Sequence, residues 1–240
     1  MTKRSKRRQE QTTKTKSVQS ARNAKAINKK MMDDFRVVEA TKLLRTNIEF
    51  SGDDKKVILF TSCTPGEGKS TISYAIAKSF AENEETVLYI DADLRRSVFT
   101  GVHGTVGKSK GLSHYLSGKA EIGEIIGKVQ KSKTMAIMSG VIPPNPSELL
   151  GNGRFGKLIE TASKSFDRII IDTPPLGRVI DAAIIAKKCD GAILIIAANE
   201  IKYKHARAVK EQLELSGCPI IGAVLNKTDT KLSGYYGEYQ

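Results

Sequence analysis

The stretch SCTPGEGKST (62–71) constrains this chain more than any other. It follows an apolar run, VILFT (57–61), and opens a helical pattern near Gly68. A strand that ends on a glycine-rich turn, with a helix starting at Gly-Lys-Ser, points backbone N–H groups and a helix N-terminus at phosphate. In such a P-loop Lys69 reaches the β and γ phosphates and Ser70 supplies a hydroxyl for Mg²⁺, while Thr64, Pro65, Gly66, Glu67, Gly68 and Thr71 complete the nucleotide-binding loop. The general pattern asks for a further glycine at position 63, and Cys63 stands there instead.

The rest of the chain supplies the frame that a P-loop needs. Besides 57–61, short runs rich in β-branched and aliphatic residues occur at TVLYID (86–91), TMAIM (134–138), RIIIDT (168–173), GAILIIA (191–197) and IIGAVLN (220–226). They are apolar on both faces, as strands of a parallel sheet covered by helices must be. Helical spacing marks 31–50 and the Ala206, Val209, Leu213 stripe between them. NPSELL predicts a further helix, with Asn145 as N-cap, Pro146 at its first position and Glu148 closing a capping box. The alternation predicts an α/β fold: a doubly wound, mostly parallel sheet of the P-loop NTPase kind, with ligands at the carboxyl ends of the strands and no repeats.

Acids converge on that edge. Asp91 and Asp93 follow one strand, and share a direction if the strand extends that far; Asp172 ends another. Three carboxylates beside a phosphate loop suit Mg²⁺ and a nucleophile's proton, so Lys69, Asp91, Asp93 and Asp172 are the catalytic candidates and Ser70, Asp91 and Asp172 the metal ligands. The base is open to two readings. NKTD (226–229) is similar to the guanine-reading motif of GTPases, yet position 175 is Pro where their Asp-x-x-Gly has glycine. Adenine is favoured, with Asn226 as a contact, and GTP is the alternative. A nucleotide-switched ATPase of the Min and Par type is a second alternative, weakened because their signature lysine falls at Thr64 here.

Charge divides the chain. Residues 1–30 hold eleven Lys or Arg against one acid, Glu10, so that +10 of the net +13 sits on this arm. An arm this poor in apolar residues cannot bury enough surface to fold alone, and an anionic membrane surface suits it better than nucleic acid, since no aromatic is interleaved with the charges. No apolar run approaches the roughly 18 residues of a membrane span. Three cysteines, odd in number and widely spaced, suggest a reducing compartment and no metal site. At the other end SGYYGEY gathers Tyr235, Tyr236 and Tyr239 among glycines. The expected division is a basic disordered arm (1–30), a P-loop domain (31–228) and a flexible tail (229–240).

TPGEGKST, IDADLRR, IIIDTPP, GVIPPNPSELL and the tyrosine tail together resemble the bacterial tyrosine kinases of capsule and exopolysaccharide synthesis, in their soluble cytoplasmic subunit form. The resemblance runs from about residue 34 to the C-terminus. It implies an ATP- and Mg²⁺-dependent protein-tyrosine kinase, on the Min/Par-like branch of the fold, with Asp93 or Asp91 taking the tyrosine proton and Tyr235, Tyr236 and Tyr239 as phosphoacceptors. It also implies a cytoplasmic location at the inner face of the membrane. The partners implied are a transmembrane activator of the polysaccharide co-polymerase type, a cognate phosphatase, and further copies in an octamer-like ring. The family's ring motif, Glu-x-x-Arg-x-x-Arg, reads Glu39, Lys42, Arg45 here, and its usual Pro after the second arginine is Ser97.

Overall fold

The computed structural model describes residues 35–52, 54–97, 106–129 and 132–228. The basic arm, the first four residues of the expected 31–50 helix and the tyrosine tail lie outside them. The described chain runs α1 (Phe35–Phe50), β1 (Val57–Ser62), α2 (Lys69–Glu82), β2 (Val87–Asp91), α3 (Leu112–Leu116), α4 (Ile122–Ile125), β3 (Ile126–Lys128) and β4 (Met135–Ile137). It continues through α5 (Pro146–Gly151), α6 (Gly153–Ser163), β5 (Arg168–Asp172), α7 (Asp181–Ala186), β6 (Gly191–Ala197), α8 (Tyr203–Glu214) and β7 (Ile220–Asn226).

The strands form one seven-stranded sheet in the order β3-β4-β2-β5-β1-β6-β7. Every pairing is parallel except β3 with β4. β1 and β2 are buried along their whole length, which is why they are apolar on both faces. Their side chains alternate between two cores. Ile58, Phe60, Tyr89, Ile170 and Ile193 pack with Ile76 and Phe80 of α2 and Ile48 of α1. Leu59, Ile90, Ile171 and Leu194 pack with Leu112 of α3, Phe155 and Leu158 of α6, Ile185 of α7 and Leu213 of α8. Each large apolar side chain so buried contributes about 1.5–3 kcal/mol. This rigid sandwich fixes the carboxyl ends of β1, β2 and β5 side by side.

Two expectations need correction. At α5, Asn145 is the N-cap residue and Pro146 the first helical residue, but no side-chain cap bond forms. Asn145 Nδ2 donates instead to Glu148 Oε2 (2.7 Å), so the capping box is replaced by a side-chain pair. Asp93 does not continue strand periodicity, because β2 ends at Asp91 and the chain turns immediately afterwards. Among the described residues, no helix is long and apolar enough to cross a membrane.

Candidate active site

The P-loop joins β1 to α2 by two residues with left-handed backbone, Gly66 (φ 87°) and Gly68 (φ 90°). Any L side chain is strained at such angles. At Gly68 space is also closed: a Cβ there would lie 2.2 Å from Asn226 Nδ2. Asn226 sits at the end of β7 and donates from Nδ2 to the Glu67 carbonyl (2.8 Å), which brings the expected base-contacting residue onto the phosphate loop. Glu67 is buried, and its carboxylate faces the back of the loop. It accepts from the Thr64 amide, from Thr64 Oγ1 (2.7 Å) and from the Ala197 amide at the end of β6 (3.1 Å). Thr64 and Glu67 therefore brace the loop against β6, and their polar groups are spent there. Pro65 and Gly66 are exposed at the loop's outer side, and Ser70 and Thr71 open α2.

Two carboxylates meet above this loop. Asp91 and Asp172 are register partners on the adjacent strands β2 and β5, and both are buried. Among the described residues Lys69 is the cation paired with them, through Asp172: also buried, it places Nζ 2.5 Å from Asp172 Oδ1 and 3.2 Å from Ser70 Oγ. An ammonium has three protons, so one remains for a phosphate oxygen. Ser73, one turn along α2, donates to Asp172 Oδ1 (3.3 Å) and lies 3.3 Å from the Tyr89 hydroxyl. Burial, with the Asp172 and Asp91 charges beside it, holds the Tyr89 phenol well above its ordinary range, so Tyr89 stays protonated and acts as a donor. Asp91 has no lysine of its own. Its partner is Ser97, whose hydroxyl donates to Oδ2. Desolvation, followed by the Asp172 charge, pushes the Asp91 carboxyl up to about 7, against the smaller lowering effects of Ser97 and Lys69.

Asp93 lies in the turn after β2. Its Oδ1 accepts from the Arg95 and Arg96 amides (3.1 and 2.8 Å), and its own amide donates to Asp91 Oδ1 (3.2 Å). The structure thus gathers Lys69, Ser70, Asp91, Asp93 and Asp172 at one edge of the sheet. An all-oxygen donor set of two carboxylates and a hydroxyl suits a hard cation such as Mg²⁺. The turn after β5 is pinned to β1, since Thr173 Oγ1 donates to the Phe60 carbonyl (2.8 Å) and the Leu176 amide to Thr61 Oγ1 (3.2 Å).

The expected ring residues lie apart from this edge, on α1. Glu39 and Lys42 are exposed and pair with each other (2.7 Å). Arg45 turns inward, donating from Nη1 to the Ser79 carbonyl of α2 (3.1 Å) with Nε 3.5 Å from Glu49. Tyr235, Tyr236 and Tyr239 lie outside the described residues. Sequence reasoning missed Ser73 and Tyr89. Both leave a trace in the sequence: Ser73 is one helical turn beyond Lys69 and Ser70, and Tyr89 is two residues before Asp91 on the same strand face.

Comparison with known proteins fits this geometry. The family described as an AAA domain matches residues 55–204. A protein named tyrosine-protein kinase CpsD, from Streptococcus agalactiae, is 44% identical over 215 residues, covering 89% of this chain and 94% of its own. The solved kinase domain of the Escherichia coli tyrosine kinase ETK superposes with a TM-score of 0.78 at 35% identity, over 85% of this chain and 80% of that one. The septum site-determining protein MinD of Pyrococcus horikoshii, solved with Mg-ADP, shares the fold at a TM-score of 0.62 and 22% identity, over 71% of this chain and 69% of that one.

Proposed function

The chain belongs to the bacterial tyrosine-protein kinases, and we propose that it transfers the γ-phosphoryl group of ATP to tyrosine, with Tyr235, Tyr236 and Tyr239 of its own tail as acceptors. The observation that carries this reading is the buried pair of in-register carboxylates, Asp91 and Asp172, with Lys69 of the P-loop paired to Asp172. Phosphoryl transfer is mostly positioning plus charge neutralisation, and this edge is built for both.

In this reading each residue at the edge has a role. Lys69 and the P-loop amides hold the β and γ phosphates, and Asn226 contacts adenine. Ser70, Asp91 and Asp172 would hold Mg²⁺, which neutralises charge on the transferring phosphoryl group when bound. Asp93 or Asp91 accepts the tyrosine proton. A phenol with a pKa near ~10 needs such help to become a nucleophile at neutral pH. The value near 7 for the Asp91 carboxyl belongs to the metal-free chain; as a Mg²⁺ ligand Asp91 would be ionised. Thr173 and Leu176 fix the turn after β5, so that the acids stay aligned while charge moves.

The likeness to MinD, under 25% identical, bears on fold alone, so the switch-ATPase and GTPase alternatives gain nothing from it. In the wider proposal, residues 31–228 form the catalytic unit in a ring of copies that meet through α1, with Glu39 and Lys42 outward. A membrane activator of the polysaccharide co-polymerase type recruits the protein to the inner face of the membrane, the basic arm 1–30 assists there, and the reaction regulates capsule or exopolysaccharide synthesis. Each phosphate adds about −1.5 to −2 charges to the tail, a physical reason for neighbouring tails to separate, and a cognate phosphatase would reset it.

The test is to incubate the full chain with Mg-ATP, with and without an activator's cytoplasmic segment, and to map phosphate by mass spectrometry. Labelling of Tyr235, Tyr236 and Tyr239 is expected, with none in Lys69→Met. Asp93→Asn is expected to bind ATP without labelling. Absence of tail phosphate in the wild-type chain under both conditions would overturn the kinase reading.

A further inference from the structure

Asp181 is fully buried at the start of α7, a setting in which a carboxylate needs strong partners. It has two. Arg95 grips it with both arms of its guanidinium, Nε to Oδ2 at 2.8 Å and Nη2 to Oδ1 at 3.0 Å. Ser147, from α5, donates to Oδ1 (2.7 Å) and accepts from Arg95 Nη2 (2.9 Å). The knot joins three separate elements: the turn after β2, the first helical turn of α5, and the start of α7.

Its placement relative to the acids is what gives it meaning. The Arg95 amide donates to Asp93 Oδ1, so the residue whose side chain grips Asp181 also cradles Asp93 with its backbone. Two residues on, Ser97 holds Asp91. On the other side, α7 is reached from Asp172 through residues 173–180, the turn already pinned to β1. Arg95 and Asp181 therefore close a bridge between the two acid-bearing turns at their outer ends. The P-loop takes no part in the bridge.

We propose that Arg95 is a positioning residue for phosphoryl transfer: its bidentate pair with Asp181 fixes Asp93 and Asp91 relative to Asp172, while nucleotide is held without it. The inference rests on the kinase reading given above. It differs from a purely electrostatic role, in which any cation at position 95 would serve. It also differs from a purely structural one, in which relieving the buried charge would restore everything. A lysine keeps the charge and loses the fork, so geometry and charge can be separated.

The experiment uses the full chain with Mg-ATP and the activating segment, and reads three quantities: single-turnover tail phosphorylation, affinity for a fluorescent ATP analogue, and the thermal midpoint. Arg95→Lys and Arg95→Met are expected to slow transfer about 10-fold or more, as small misplacements of reacting groups do, with analogue affinity within about twofold of wild type. In Arg95→Met/Asp181→Leu the midpoint recovers towards wild type, because no charge is left buried alone, while transfer stays slow. Transfer by Arg95→Lys within twofold of wild type would overturn the proposal, as would a double variant that regains rate along with stability. So would an affinity loss that matches the loss of rate. If the wild-type chain itself shows no tail phosphate, the kinase reading has failed and this inference falls with it; a labelled wild type beside unaffected Arg95 variants removes this inference alone.

Discussion

Replacing Asp91 by Asn should make the nucleotide-free protein more stable, by an amount that grows as pH rises from about 5 to about 7 and then levels off. In the folded chain Asp91 is buried against Asp172 with its carboxyl held at about 7, while in the unfolded chain an aspartate titrates near ~4. The folded state therefore binds the extra proton between these values, and stability falls as pH rises through that window. The stabilising contribution is complete below about pH 4 and gone above about pH 8. Three pH units at about 1.4 kcal/mol each give an upper bound near 4 kcal/mol for the cost of carrying the charge. Asn carries no charge at any pH. It must still accommodate two donors, Ser97 Oγ and the Asp93 amide. The hydroxyl can rotate to accept from the new amide, and imperfect geometry costs about 1 kcal/mol.

The net expectation is a gain of about 2–3 kcal/mol at pH 8, or roughly 4–12 °C in thermal midpoint for a domain of this size, and no gain at pH 5. The assay is thermal unfolding of both proteins in EDTA, without nucleotide, from pH 5 to 8.5. The difference between variant and wild type reports Asp91 together with the neighbours that feel its charge, Asp172 above all, and cancels the groups elsewhere in the chain. A difference that stays flat with pH, or shrinks as pH rises, would refute the reasoning. With Mg-ATP added the order should reverse, since binding stabilises the chain that retains the ligand.

Other consequences are as direct. Gly68→Ala introduces a Cβ 2.2 Å from Asn226 Nδ2 at a φ of 90°; a loss of about 2 kcal/mol or more in stability and at least about tenfold in ATP affinity is expected by calorimetry. Asn226→Ala should restore part of that stability by vacating the space, and a double variant no better than Gly68→Ala alone would contradict the contact. Glu67→Gln sets an amide group against the Thr64 and Ala197 donors; it should cost about 1–3 kcal/mol in denaturant unfolding and raise hydrogen exchange across the P-loop.

The strands at the centre of the sheet were the most legible part of the sequence. β1, β2, β5 and β6 fall within a residue of their expected bounds, because a strand buried on both faces leaves an uninterrupted apolar run; the edge strand β7 matches too, although it is only partly buried. β3 was not legible. Ile126–Lys128 is three residues long, contains a glycine and pairs only at the sheet's edge, antiparallel to β4, so no alternation announces it. The helices α3 and α4, of five and four residues, are too short to carry a 3.6-residue period. In the site, the acids and the lysine could be named because a P-loop fixes which strand ends face phosphate. What could not be read was direction. Glu67 is one variable position of a phosphate loop, and nothing local says that its carboxylate turns to Ala197. The partnership of Arg95 with Asp181 spans 86 positions and exists only because β2 and β5 are neighbours in the sheet.

That adjacency also explains why the fold tolerates its own active edge. Two carboxylates in register on neighbouring strands repel, and a single Lys69 satisfies one of them. Asparagine or serine at either position would make a quieter sheet. Such a conflict persists only where the surroundings over-determine it, and here they do: β1, β2 and β5 are locked between two apolar cores, and the turns that follow β2 and β5 are tied to each other through Arg95 and Asp181. The strain left in the edge is an excess of negative charge beside a loop shaped for phosphate. A bare polyphosphate would meet repulsion there, whereas a polyphosphate that arrives with a divalent cation relieves both the carboxylates and itself. The same charges that cost stability in the free chain thereby favour a phosphate ligand that arrives with its own cation.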